Sequence, residues 1–377
     1  MDLGFSEEQE MLRTATRDFL TNECPPDLVK EMAEDERGYT PELWKKMAEL
    51  GWMGLTFPEE YDGMGMTFLD LVILLEETGR ACLPGPLFST VVLAGYTILE
   101  AGSEEQKKEL LPKISNGELI LTLALTEPSA SYEPGGIKIK ASPKNGDYVI
   151  NGTKLFVPDA NVADYMICVA RTKDGAKPEE GITLFLVDAK SPGISTTLLK
   201  TIAGDKQCEV IFDDVRVPKE NILGELDKGW PVVEKVLEKA TVGLCAQMVG
   251  GAQKALEMSI DYAKERVQFG RPIGSFQSIQ NYCADMVTDV DGSKYITYEA
   301  ALKLSDGLPA AMEVSMAKAW VSEACRRVTA LGQQIHGAIG FMADHDLPLY
   351  FKQAKAGEAT FGNADFHREL VAKHLGL

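Results

Sequence analysis

No stretch of this chain approaches the roughly 20 consecutive apolar residues of a membrane-spanning helix. The longest apolar runs, such as Leu119 to Leu125, are far shorter. The opening residues, MDLGFSEEQEMLRTATRDFL, lack a basic start, an apolar block and a small-residue cleavage site. Neither a secretory signal nor a transit peptide is expected there. Positive charge is scarce: 38 Lys+Arg stand against 57 Asp+Glu, a formal charge of −19. Phosphate contacts dominate nucleic-acid affinity, so no nucleic-acid partner is expected, whereas an anionic small molecule needs only a local cluster of donors. The seven cysteines (Cys24, Cys82, Cys168, Cys208, Cys245, Cys283, Cys325) are scattered and form no Cys-x-x-Cys pair. They read as reduced, core-filling thiols of a cytoplasmic protein. The four histidines, His336, His345, His367 and His374, have no metal-ligand spacing, and no metal site is expected. Also missing are a Gly-x-Ser-x-Gly elbow, a P-loop and a Gly-x-Gly-x-x-Gly after a strand, which removes the commonest hydrolase, NTPase and Rossmann readings.

What is present is a globular composition, 45% hydrophobic and 25% charged over 377 residues. That length suits two or three packed units. Residues 1–116 carry helical period, with start signals at Thr40-Pro41-Glu42 and Ser103-Glu104-Glu105. Residues 117–226 change to short β runs bounded by turn sequences such as KNGD, NGT and SPG, a pattern for an antiparallel barrel or sandwich. Residues 227–377 return to helical period, with segments at 229–265, 275–305, 308–337 and 346–372 long enough for an antiparallel bundle. The fold class expected is α+β: an N-terminal helical domain, a middle antiparallel β-barrel and a C-terminal four-helix bundle.

Four local patterns carry chemistry when taken together: LALTEPSAS (123–131), INGTKLFVPDANVADY (150–165), ERVQFGRPIGSFQSIQ (265–280) and QQIHGAIGF (333–341). The second reads as a hairpin carrying Phe156, and the third as a helix end and Gly-rich turn. In this order, with FDDVRVPKENILGE (212–225) and the closing HRELVAKH, the chain resembles the acyl-CoA dehydrogenase family of flavoproteins over essentially its full length. The resemblance implies bound FAD, an acyl-CoA substrate, an electron-transferring flavoprotein as acceptor and a homotetramer. Thr126 matches the threonine that contacts the flavin ring, with Leu125 beside it. Phe156 stands where a tryptophan stacks on the flavin, keeping an aromatic face without the indole donor. Arg266 and Phe269 match an element that crosses to a partner's FAD, where a guanidinium can pair with pyrophosphate. Gln277, Gln334 and Gly337 match further FAD contacts, and Asn363 and Asp365 the adenine end. Two departures stand out: SASYE replaces GAGSD, putting Tyr132 where a serine touches cofactor and CoA, and Pro158 replaces a hydroxyl donor.

The largest departure concerns the base. Members of this family remove the α proton of a thioester with a carboxylate while the β hydride goes to the flavin. Most place that glutamate just before a Gly at the start of the last helix, and a second group places it on the bundle's first long helix. Those positions hold Phe361 and Ala240 here. The catalytic base is therefore unassigned, with Asp344, Glu358, Tyr132 and Glu238 as candidates, and Tyr132, Glu238, Thr241 and Phe361 expected at the substrate. The resemblance then implies an unusual acyl-CoA, such as an alicyclic or unsaturated ring carboxyl-CoA, whose acidic C–H lies elsewhere. The alternatives are a lyase-like or desulfinating member, or a catalytically incomplete subunit of a mixed tetramer.

Overall fold

The computed structural model describes residues 4–377. The helices before the sheet are α1 (Glu7–Glu23), α2 (Pro26–Glu34), α3 (Pro41–Glu49), α4 (Phe68–Arg80), α5 (Tyr96–Ala101) and α6 (Glu104–Ser115), with a π-helical stretch Phe88–Gly95 running into α5. Their starts follow from their caps. Ser6, Thr67 and Ser103 each accept from the third residue of the helix, whose side chain answers the cap's own N–H; Thr40 caps α3, with Pro41 at the first position.

The strands are β1 (Leu121–Ala124), β2 (Lys140–Lys144), β3 (Asp147–Pro158), β4 (Tyr165–Arg171), β5 (Ile182–Asp188), β6 (Ile194–Leu199), β7 (Gln207–Val217) and β8 (Ile222–Leu223). They form one eight-stranded sheet in the order β6-β7-β3-β2-β4-β5-β8, with β1 joined to β4. The sheet is mixed rather than wholly antiparallel, because β1 and the end of β2 both pair parallel with β4. The expected hairpin over 150–165 is absent: β3 pairs with β2 and β7, and β4 with β1, β2 and β5. Pro158 cannot donate to a ladder and Asp159 turns left-handed (φ 53), so the chain leaves β3 without folding back on it.

After the sheet come α7 (Trp230–Glu265), a short antiparallel pair β9 (Val267–Gln268) and β10 (Arg271–Pro272), then α8 (Gln277–Ser305), α9 (Ala311–His336), α10 (Leu347–Ala359) and α11 (Ala364–His374). The helical stretch expected at 346–372 is two helices. Phe361 (φ 58) and Gly362 (φ 98) are both left-handed and break it. No helix among the described residues is long and apolar enough to cross a membrane.

Packing groups the chain into two compact units. One comprises the residues to Lys30, Thr67–Leu83 and Thr241–Leu377. There α4 is buried from Phe68 to Thr78, its Asp70, Glu76 and Glu77 carboxylates included. It crosses α7 at close range: a Cβ on Gly79 would stand 2.0 Å from the Gln247 carbonyl oxygen, and one on Gly250 1.8 Å from that of Glu76. Arg17 grips Glu77 through two nitrogens (2.9 and 2.6 Å), and Arg80 grips Glu257 likewise. Cys245, Met248, Val249, Met286, Val321, Cys325 and Val328 form the bundle core. All seven cysteines are free and six are buried.

The second unit, Glu31–Met66 and Pro84–Ala240, packs α3, α6 and the π-helical stretch with the sheet. Buried in it is Asp159, whose Oδ2 accepts from Ser89 Oγ at 2.5 Å. Burial pushes its carboxyl up to about 7; the Ser89 hydrogen bond and Lys206 oppose this, and Asp205 adds to it. An unfolded aspartate ionises near pH 4. Between roughly pH 4 and pH 7 the folded chain therefore holds a proton that the unfolded chain has released, and stability falls as pH rises through that window. Asp159→Asn is expected to leave stability near that of the parent at about pH 4 and to exceed it increasingly toward pH 8. The limit is about 4 kcal/mol, from roughly 1.4 kcal/mol per pKa unit. Equal melting temperatures for the two proteins at both pH values would refute the assignment.

Candidate active site

In the second unit the segment after β1 is clamped to β3. Leu155 N–H donates to the Thr126 carbonyl at 2.9 Å. Lys154 Nζ donates to the Leu125 carbonyl and to Glu127 Oε1, both at 2.8 Å. The Glu127 carboxylate also accepts the backbone N–H groups of Lys138 and Ile139. Side-chain exposures of 0% for Lys154 and 6% for Glu127 make this a buried ion pair. Burial pulls the Lys154 ammonium below its usual range, and Glu127 pulls it back. Leu125 and Thr126 are thus immobilised beside Phe156. The Thr126 hydroxyl makes no hydrogen bond among the described residues, so its donor and acceptor capacity is spare.

Phe156 sits where the β3–β7 register shifts between Lys154 and Val157. A bulge of this kind re-aims a side chain; Phe156 is left-handed (φ 53) and 52% exposed.

In the first unit Arg266 and Phe269 belong to the segment that turns through β9 and β10. Sequence reading found the turn but not the two strands, because two-residue strands leave no alternation to detect. Phe269 is also left-handed (φ 53) and 93% exposed. The Arg266 guanidinium and the side chains of Gln277 and Gln334 are exposed, and Gly337 (φ 63) terminates α9. Asn363 caps α11, accepting from Phe366 N–H at 2.9 Å, and Asp365 pairs with Arg368 at 2.9 Å.

Ten non-glycine residues among those described have a left-handed backbone, and three of them are Phe156, Phe269 and Phe361. A bulky side chain in this region is strained and persists only where the surroundings enforce it, most often at functional sites. Two of the three also expose their rings, which forgoes the burial that rewards an aromatic. These three rings coincide with positions that the family resemblance singles out.

Phe361 is half-buried, and its carbonyl faces His367 Nε2 at 2.9 Å. Ala240 is fully buried on α7, and Thr241 is buried after it. Among the base candidates, the Glu358 carboxylate is held by Lys355 (2.8 Å) and Arg326 (3.4 Å). Asp344 is exposed, with its carbonyl accepting from Lys30. Tyr132 is half-buried. Glu238 is half-buried, and burial followed by repulsion from Glu234 raises its carboxyl above the usual range.

Sequence reading missed one feature of the second unit. A cleft of about 340 Å³ is lined by Lys138, Lys140, Arg171, Asp174 and Lys177. Arg171 is consumed by the carbonyls of Pro134, Ile137, Pro178 and Glu180, which makes it the frame. The three lysines have no ion-pair partner among the described residues. With Asp174 among its lining, the cleft is a net cationic spot in a chain of charge −19.

Residues 6–118, 122–215 and 227–376 match the N-terminal, middle and C-terminal domains of acyl-CoA dehydrogenase. The chain belongs to the acyl-CoA dehydrogenase family. It is 35% identical to acryloyl-CoA reductase (NADH) of Anaerotignum propionicum over 381 residues, covering 100% of this chain and 96% of that one. It is 36% identical to the caffeyl-CoA reductase-Etf complex subunit CarC of Acetobacterium woodii, covering 98% and 99%. The solved butyryl-CoA dehydrogenase of Megasphaera elsdenii superposes with a TM-score of 0.93 at 29% identity, covering 100% of both chains. The chain is therefore an oxidoreductase of the acyl-CoA dehydrogenase family, whose members bind FAD. Each unit carries groups of the kinds that such a cofactor engages: in the second a spare Thr126 hydroxyl and the exposed Phe156 ring, and in the first the exposed Arg266 guanidinium, two exposed glutamines and the exposed Phe269 ring.

Proposed function

We propose that this acyl-CoA dehydrogenase homologue works on carbon–carbon bonds conjugated with a CoA thioester, with an alicyclic or unsaturated ring carboxyl-CoA as its substrate class. The observation that carries this is the pair Phe361 and Ala240, apolar at both positions where the family keeps its proton acceptor. Bound FAD supplies a two-electron hydride acceptor or donor. The chain's own residues do the rest. In the second unit Thr126 would offer its hydroxyl to a flavin ring and Phe156 an aromatic face; in the first, Arg266 would offer a guanidinium to the pyrophosphate of a partner's FAD, with Gln277, Gln334, Gly337, Asn363 and Asp365 as further cofactor contacts. Lys138, Lys140 and Lys177 hold the phosphates of the CoA tail.

With Phe361 in place, no carboxylate stands ready for the α proton of a saturated thioester. In a conjugated thioester the γ hydrogens are acidified through the double bond, so the proton leaves from another carbon and reaches another residue. Of the four candidates we favour Glu238, whose carboxyl is raised above its usual range by burial and so is a stronger base when ionised. The similar reductases named for acryloyl-CoA and caffeyl-CoA support chemistry on a conjugated bond. The β9–β10 element with its exposed Phe269 supports a homotetramer, and the Etf complex of the Acetobacterium relative supports an electron-transferring flavoprotein as partner of a cytoplasmic enzyme.

The test is anaerobic titration of the bound flavin with straight-chain, branched, saturated alicyclic and ring-unsaturated acyl-CoAs. Bleaching by the ring-unsaturated thioesters alone is the expected result, and bleaching by butyryl-CoA would overturn it. No bleaching by any member, together with a co-purifying homologous chain, would instead establish the incomplete subunit of a mixed tetramer.

A further inference from the structure

The turn between α10 and α11 is held by two buried side chains, Lys318 and His367, to which the sequence pattern assigned no role. Lys318, on α9, is completely buried. Its Nζ donates to the Gly362 carbonyl at 2.8 Å, to Ser322 Oγ at 3.0 Å and to the Glu358 carbonyl at 3.2 Å. His367, on α11, is 4% exposed. Since the Phe361 carbonyl can only accept, His367 Nε2 is the donor at 2.9 Å, and Nδ1 carries the lone pair, buried without a partner. The two carbonyls that flank Gly362 N–H and follow it, those of residues 361 and 362, are each fixed by a different helix.

A helix end does not need this. The left-handed residue after a C-cap is ordinarily glycine, which adopts it without strain. Here Thr360 is the C-cap and the next residue is a phenylalanine, with the glycine one place later. That glycine is also fixed by sterics, since a Cβ on Gly362 would stand 2.3 Å from the Phe366 ring. Burying an ammonium group and leaving an imidazole nitrogen unpaired are both costly. The fold accepts both costs to impose a strained backbone on one aromatic residue. Such an arrangement specifies the direction of the Cα–Cβ bond at 361, whatever side chain is attached.

We infer that Lys318 and His367 are positioning residues for the side chain at 361, touching neither substrate nor cofactor themselves. The inference rests on the reading of position 361 given above. Burial lowers the Lys318 pKa to about 8 and that of His367 to about 4, consistent with an imidazole that is neutral and donates through a single nitrogen at neutral pH.

The test is a mutant cycle on the purified, flavin-loaded full chain. Its readout is the rate of anaerobic flavin reduction by butyryl-CoA per bound flavin, which a general loss of stability does not move. Phe361→Glu is expected to raise that rate at least 100-fold. Adding Lys318→Met or His367→Leu is expected to cut the gain at least 10-fold, while His367→Gln, which keeps an N–H donor, preserves most of it. Should the lysine variant not fold, the histidine pair decides alone. A gain equally large with His367→Leu as with His367→Gln overturns the positioning role and leaves the reading of position 361 standing. No gain from Phe361→Glu in the parent overturns both.

Discussion

Phe361→Glu is expected to convert the protein into a dehydrogenase of straight-chain acyl-CoAs. A positioned general base contributes about 10²- to 10⁴-fold to proton abstraction, and the rate of flavin reduction by butyryl-CoA should rise by a factor in that range. The geometry favours transfer of the whole effect. Residue 361 already has the left-handed backbone (φ 58), and Gly362, His367 and Lys318 hold it there. The substitution therefore changes a side chain without asking the turn to move. Phenylalanine and glutamate differ little in reach, but the carboxylate loses hydration in a half-buried position, which raises its pKa toward neutrality and strengthens it as a base. The gain should therefore follow a pH profile whose acid limb lies above the ordinary glutamate range. A variant that folds, binds FAD and still fails to bleach with butyryl-CoA would remove Phe361 as the reason for the parent's specificity.

The second large effect concerns stability. Lys154→Met is expected to cost about 3–5 kcal/mol, because removing one partner of a buried ion pair leaves the other uncompensated. The Glu127 carboxylate, 6% exposed, keeps two backbone N–H donors but no cation, and the Leu125 carbonyl loses its partner at 2.8 Å. The double variant Lys154→Met/Glu127→Gln removes the buried charge while keeping an oxygen acceptor, and should recover more than half of the loss in denaturant unfolding. Flavin retention should follow the same order, since this pair holds Leu125 and Thr126 in place. If the single variant unfolds at the parent's denaturant concentration, the pair is not a structural clamp. If the double variant is no better than the single, Lys154 acts through packing and not charge.

How much of this was legible beforehand differs by residue. Thr126, Phe156, Arg266 and Phe361 could be singled out from sequence as expectations because they lie within short, ordered motifs whose neighbours fix the register. Lys154 and Glu127 lie in those same motifs, yet their pairing was hidden: 27 residues separate them, and nothing local says that a lysine on a strand points inward to a carboxylate. Lys318 was less visible still: nothing local in the helical run AMEVSMAKAW tells that its ammonium meets a turn 44 residues later. The cleft around Lys138, Lys140 and Lys177 needed the 171–178 loop to fold back over β2, which composition cannot express.

By itself the sequence determined the chemical inventory: the family, the helical and β stretches, the aromatic residues at 156, 269 and 361 and the apolar side chains at 361 and 240. These are properties of local pattern, where periodicity and side-chain chemistry act over a few residues. Only the tertiary structure decided that β2 enters between β3 and β4, that the last helical stretch breaks at Phe361, and that the backbone there is strained and held. Each depends on hydrogen bonds and steric contacts between segments distant along the chain, and such contacts exist only once burial has made an unpaired polar group too costly to leave.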